Sequence, residues 1–175
     1  MIQKKCRWVN ITTLVVLLAA INQSQAQDNF QELRKLINGI RMEMPSGFGE
    51  SSFIEYTFIN AGCYCSLSQA TTGKKEKMNA IITFSFNLSE IKDGIMIVSK
   101  PKDSDYKPIP EDIWTIQIGT LNILVQNTDW QSRQTNTNHF YFHVEGIDKR
   151  DKIIDYLKKS TLECGGSISE VSIVD

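Results

Sequence analysis

The sequence predicts an α+β domain: a strongly bent, mostly antiparallel sheet of about seven strands, preceded by an amphipathic helix and capped by a C-terminal helix. Three observations lead there. Apolar residues recur at helical spacing from Phe30 to Met44, alternate strictly from Met78 to Leu88, and return to helical spacing from Ile153 to Cys164. Strands with one apolar face must bury it. A run of such strands with short connections pairs antiparallel and bends into a partial barrel or a sandwich.

The first 26 residues read as an export signal. Lys4, Lys5 and Arg7 form a positive start, residues 11–21 an apolar core, and Ser24-Gln25-Ala26 offers small residues on which a signal peptidase acts, with cleavage expected before Gln27. The apolar core is about half the roughly 20 residues that a bilayer-spanning helix needs. Cys6 lies ahead of that core, where a lipoprotein anchor would need it behind. Residues 1–26 are thus expected to be a signal peptide and 27–175 one globular domain, exported to the periplasm or the extracellular space, with no membrane span after cleavage.

After the signal, Asp28 or Asn29 can cap a helix, with Gln31 or Glu32 completing a capping box. Phe30, Leu33, Ile37, Ile40 and Met44 make its apolar stripe, and Pro45 and Gly47 end it. The period then becomes two. Strands are expected over 53–60, 62–70, 94–99 and 139–145. The clearest is Lys77 to Leu88, where Met78, Ala80, Ile82, Phe84, Phe86 and Leu88 all point one way. Residues 113–126 read as a hairpin turning at Gly119-Thr120, glycine being suited to the first central position of a type II′ turn. Trp114, Ile116 and Ile118 would share a face on its first arm, Leu121, Ile123 and Val125 on its second. The polar stretches 100–112 and 127–138 read as long surface loops. A second helix opens with Asp148 as N-cap, carries Ile153, Leu157 and Cys164 on one face, and stops at Gly165-Gly166. The tail from Ser167 is either a short edge strand or unstructured.

The formal charge is −1 over the whole chain. The signal holds three basic and no acidic residues, so residues 27–175 carry about −4. That balance argues against nucleic acid, whose binding rests on basic surface.

From residue 84 onward the pieces FSFNLSEIKDGIMIVS, WTIQI led by Trp114, FYFHVEGIDKRDKIIDYLKK and LECGG follow one another. In this order they resemble a group of uncharacterised exported bacterial proteins with a tryptophan-led strand and a C-terminal helix ending in Cys-Gly-Gly. The arrangement also resembles the pleckstrin-homology-like architecture, a bent antiparallel sheet capped by a C-terminal helix. The resemblance implies a scaffold and brings neither an activity nor catalytic residues.

Of the four cysteines, three follow the signal: Cys63, Cys65 and Cys164. On an extended strand Cys63 and Cys65 face the same apolar side, and Cys164 lies on the helix stripe that packs there. In an exported protein such cysteines pair. One strand cysteine therefore bridges to Cys164, with Cys65 preferred and Cys63 the alternate partner. Closing a loop of about 100 residues is worth about 4–5 kcal/mol in the chain-entropy model. Two other readings compete. Three cysteines plus His139 or His143 would make a Cys₃His metal set, but the spacing fits no zinc pattern. A Cys63-x-Cys65 dithiol would want an electropositive, partly exposed site, and no basic residue lies nearer than Lys74. No metal and no cofactor is expected.

In HFYFHVE, Phe140, Phe142 and Val144 face the core, while His139, Tyr141, His143 and Glu145 line the opposite, solvated face. The two histidines stand roughly 13 Å apart, too far to share one metal ion. Trp130 and Arg133, in the loop before this strand, would border it as a recognition anchor. No nucleophile elbow and no phosphate-binding glycine loop is present. The sequence thus favours a non-enzymatic exported module that binds a protein or a small ligand, unidentified by sequence. The alternatives are an enzyme of unrecognised type, acting on a thiol or disulfide, and an accessory subunit that docks through its N-terminal helix.

Overall fold

A computed structural model describes residues 27–45, 51–73, 78–100, 110–119, 125–128 and 133–174. Helix α1 runs over residues 27–38 and buries Phe30, Leu33 and Ile37. The expected stripe continued to Ile40 and Met44, but the chain leaves the helix at Gly39 and enters strand β1 (Arg41–Pro45). Ile40 and Met42 are buried, Met44 is half-buried, and Arg41 and Glu43 between them are exposed. Ile40 and Met44 are four apart, which fits one helical turn and two strand repeats alike, so the helical reading overran into a strand.

Strands β2 (Ser51–Ala61), β3 (Tyr64–Gly73) and β4 (Met78–Asn87) form an antiparallel meander. Phe84 and Phe86 on β4 are buried and Ile82 is half-buried, as alternation predicts; the side chains of Met78 and Ala80 lie outside the described part. β1 pairs with only the first half of β2. Beyond it the edge of β2 is closed by α1 and the chain after it. Tyr56 N–H donates to the Ile40 carbonyl (3.3 Å), Phe58 N–H to Asn38 Oδ1 (2.5 Å), and the Arg34 guanidinium to Asn60 Oδ1 (2.8 Å). A side-chain amide here takes the place of a ladder partner, so the edge has no row of free donors.

After β4, Asn87 caps a 3₁₀ turn (Leu88–Glu90), its Oδ1 accepting from Ser89 N–H. This turn and Asp93 at φ 52° break the ladder, so β5 (Gly94–Ser99) starts a second sheet. The strands that follow are β6 (Ile113–Gly119), β7 (Val125–Thr128), β8 (Gln134–Thr137) and β9 (His139–Glu145), then helix α2 (Ile147–Glu163) and β10 (Ile168–Val174). The first sheet has the order β1-β2-β3-β4-β7-β8 and the second β10-β5-β6-β9. The fold is therefore α+β with two sheets and two helices, ten strands among the described residues in place of about seven in one bent sheet. They close no barrel.

The expected hairpin at Gly119-Thr120 is not formed. β6 is flanked by β5 and β9, with Gly119 opposite Ile95 on one side and His139 on the other, while β7 pairs with β4 and β8 in the other sheet. Trp114, Ile116 and Ile118 do share a buried face; Leu121 and Ile123 lie outside the described residues. The polar stretch 127–138, read as a loop, holds the end of β7 and all of β8. Their ladder is made by backbone, which apolar periodicity does not register. Residues 101–109 of the other expected loop lie outside the described part. The tail is a strand, parallel to β5 and at the sheet edge.

Both sheets and both helices feed one core. Phe86 of the first sheet stacks on Phe140 of the second at 4.0 Å, and Phe142 meets Tyr56 edge-on at 6.1 Å. Helix α2 buries Ile153 and Leu157 as expected. Its N-cap is Gly146 at φ 87° with no side-chain cap; Asp148, expected there, sits in the first turn, where its charge still suits the helix dipole. The C-terminal end is a Schellman motif, with Gly166 N–H donating to the Thr161 carbonyl and Gly165 N–H to that of Leu162. Gly165 has φ 78°. At Gly166 an added Cβ would stand 2.2 Å from the Leu88 carbonyl oxygen and 2.8 Å from that of Ile91. Both neighbours are backbone and cannot step aside. Gly166→Ala is therefore expected to lower stability by about 3 kcal/mol or more, read as a lower denaturant midpoint; an unchanged midpoint would mean that the α2 end does not pack on the Leu88–Ile91 segment.

Candidate functional site

Cysteine placement follows from the β2–β3 turn. Ala61 pairs with Tyr64, so Gly62 and Cys63 are the two turn residues, and Gly62 at φ 60° supplies the conformation that such a turn needs at its first position. Cys63 is thus not on the strand. It reaches past the sheet end to Cys164, the C-cap of α2, and the two are joined in a disulfide with Cα atoms 5.7 Å apart. The preferred partner, Cys65, is corrected to the alternate, Cys63. Cys65 is the first inward residue of β3, fully buried, and its thiol is free. Burial pushes that thiol up to about 12, so it is held as an inert apolar group, and no Cys63-x-Cys65 dithiol exists.

Beside the disulfide is a cleft of about 440 Å³, lined by Gln27, Phe30, Gln31 and Arg34 of α1, Asn60, Gly62 and Cys63 of the hairpin, and Glu163 and Cys164 of α2. Asn29 at its rim donates from Nδ2 to Glu163 Oε1 at 2.6 Å, and Arg34 leans on Asn60. One wall presents a cation and another a carboxylate, with amides between them. Arg34, Asn60 and Glu163 were invisible as site residues in the sequence. They are polar residues on three separate elements, Arg34 and Glu163 exposed and Asn60 half-buried, and tertiary contacts at the disulfide bring them together.

The strip expected on β9 is placed differently from the open face anticipated. His139, Tyr141 and His143 are half-buried, and only Glu145 is exposed. β9 is an edge strand whose free edge meets the first sheet. The backbone N–H of His143 donates to the Tyr56 hydroxyl at 3.0 Å, and that hydroxyl faces Gln69 Oε1 at 3.4 Å. The Tyr141 ring lies 5.7 Å from Phe84 and 6.1 Å from His143. His143 Nδ1 and the Thr115 hydroxyl stand 2.9 Å apart, while His139 Nδ1 is 3.1 Å from Asn138 Oδ1. Burial lowers His143 to about 4 and raises the Tyr56 phenol. Arg133 is exposed just before β8; Trp130 lies outside the described residues. Among the described residues no group of three His, Cys, Asp or Glu could hold a metal ion.

Trp114 serves packing. Its ring is 5% exposed, with Lys100 Nζ 4.1 Å and the Arg150 guanidinium 4.2 Å from its centroid. The Arg150 contact seats α2 on β6, while Lys100 reaches the same ring from the end of β5.

What fold and site define is an α+β two-sheet domain closed by one disulfide, with a polar cleft at the closed end and no reactive constellation among the described residues. No family model, curated protein or solved structure matches this chain.

Two expectations follow. In denaturant without reductant, residues 27–175 should titrate one thiol, Cys65, and the folded protein none at pH 8; three thiols would remove the bridge. His143 is held neutral by burial, with a folded value below the unfolded 6.5. The unfolded chain therefore binds a proton first as pH falls, and the stability this residue contributes is lost between about 6.5 and about 4, at most about 3 kcal/mol. Urea unfolding across that window should show the slope, and His143→Gln should flatten it.

Proposed function

We propose that this chain is an exported, non-enzymatic binding domain whose ligand sits in the cleft beside Cys63–Cys164. The cleft itself carries the reading. Its volume falls in the range of small-molecule sites, and its polar groups converge from three elements. Arg34 offers donors and Glu163 offers acceptors, so the fitting ligand is a small polar molecule bearing both acceptor and donor groups. The N-terminal signal reading and the disulfide support export, because such bonds persist outside reducing compartments. No helix among the described residues is long and apolar enough to cross a membrane.

The kinship with the exported Cys-Gly-Gly group belongs to the same proposal. It is supported by the separate tasks of the three residues: Cys164 bridges, Gly165 takes a positive φ and Gly166 makes a close approach. The pleckstrin-homology-like likeness draws support from the C-terminal helix packed on the sheet core, while β10 after that helix departs from it. The reading as a subunit docking through its N-terminal helix is not favoured, because Phe30, Leu33, Ile37 and Ile40 are buried against the chain's own sheets. A thiol enzyme is not favoured either, given the buried state of Cys65.

The test is a backbone NMR titration of the exported protein with free amino acids, di- and tripeptides and simple sugars. At least one class should shift the signals of Arg34, Asn60 and Cys63, and Arg34→Ala should weaken that response tenfold or more. Shifts centred on Tyr141 and His143 would transfer the site to β9. A silent panel would overturn the small-ligand reading.

A further inference from the structure

The outer face of the first sheet lacks what a solvated sheet face ordinarily carries. Charged residues make up 22% of the chain, and antiparallel sheets with one wet face set charged and polar side chains there. Yet no outward position of β2 from Thr57 on, of β3, or of β4 from Ile81 on is charged. Register aligns the central rows. Thr57, Ser68 and Thr83 lie abreast, and Ile59, Ser66 and Ser85 form the next row. Thr83 is in backbone register with Thr128 of β7.

The face is open, with Ile59 58%, Tyr64 52% and Ile81 38% exposed. Its polar groups are already partly paired: the hydroxyls of Ser68 and Thr83 stand 3.0 Å apart across the strands. A hydroxyl pair that bonds laterally keeps one O–H donor over, which an acceptor on a covering surface can take up. Among the described strand positions of this face, the charges sit at one corner, Arg41 and Glu43 of β1 and Glu55 of β2.

We propose that this face is the interface of a homodimer, two copies packing their first sheets outer face to outer face about a two-fold axis. A hydroxyl is both donor and acceptor, so a hydroxyl grid is complementary to its own copy, as an isologous interface requires. A face without charges brings no like charges together, and its small side chains let two sheets reach the spacing of about 10 Å at which sheets pack. Strands about 4.8 Å apart, carrying outward residues about 6.8 Å apart, span on the order of 500 Å² here, β7 and β8 being short. Over two partners that is about 1,000 Å², the lower end for a specific interface. The exposed Ile59, Tyr64 and Ile81 supply its apolar contacts. The cleft beside the disulfide plays no part in this inference.

Sedimentation equilibrium of the exported protein between 1 and about 200 µM tests it. Wild type should sediment at twice the chain mass over the upper part of that range. Ser68→Lys places two ammonium groups against each other at the centre and should weaken the dimer at least tenfold. Leu162→Lys, a charge on the exposed part of α2, should leave it intact, and both variants should keep wild-type far-UV circular dichroism. A wild-type monomer at 200 µM overturns the proposal, as does a folded Ser68→Lys variant that dimerises like wild type. If the protein is a monomer that pellets with insoluble cellulose, and Ser68→Lys abolishes the pelleting, the face belongs to a hydroxyl-bearing polymer and the dimer is overturned.

Discussion

The structure depends on one junction, where the Cys63–Cys164 bond ties the β2–β3 turn to the end of α2 across 101 residues of sequence. The turn also binds the end of β4, Leu88 N–H donating to the Cys63 carbonyl at 2.9 Å. The α2 end packs its Gly166 on the backbone of Leu88 and Ile91, and Ser167 then bonds both Ile91 and Gly94. The last strand of the meander, the first strand of the second sheet, the second helix and the start of β10 thus converge on a few residues. A covalent bond that removes unfolded-chain freedom over such a loop stabilises by about 4–5 kcal/mol in the entropy model. In a domain whose net stability is about 5–15 kcal/mol, that is a large share.

The junction also shapes the cleft beside it, whose polar walls converge. Arg34, Asn60 and Glu163 belong to elements that share no ladder. Away from the junction, the two sheets are joined by a weaker device. The edge strand β9 meets the inner face of the first sheet, and the Tyr56 hydroxyl occupies the free N–H of His143. This polar contact lies inside an aromatic layer of Phe86, Phe140 and Phe142, so it is shielded from water and holds β9 in one register. Burial keeps His143 neutral, its ring lying beside Tyr141 and Thr115 on the other side of β9 from Phe142.

Much of the fold was legible. The strands over 94–99 and 139–145 fall at their expected ends, and the inward residues Phe84, Phe86, Phe140, Phe142 and Val144 are buried. Alternation reports which side of a strand is dry, a local property. It does not report which strand lies alongside. The hairpin at Gly119 was therefore drawn between neighbours in sequence, whereas β6 found β5 and β9. The all-polar β8 was missed because its pairing is carried by backbone. The site was less legible still, since charged and amide residues on separate elements carry no common period.

The sequence by itself determined that Phe30, Leu33 and Ile37 form a dry helix stripe, that β4 buries Phe84 and Phe86, and that a cysteine near residue 63 bridges to Cys164. These are local periodicities combined with the need to bury apolar surface. Only the tertiary structure decided which cysteine that is. Gly62 turns the chain one residue before the alternation begins, moving Cys63 off the strand and leaving Cys65 as the first buried position. Side chains two apart on a strand face the same way, so the two sulfurs are told apart only because Cys63 belongs to the turn and Cys65 to the strand. Tertiary structure likewise decided that the chain makes two sheets, because the 3₁₀ turn after Asn87 ends one ladder before the next begins.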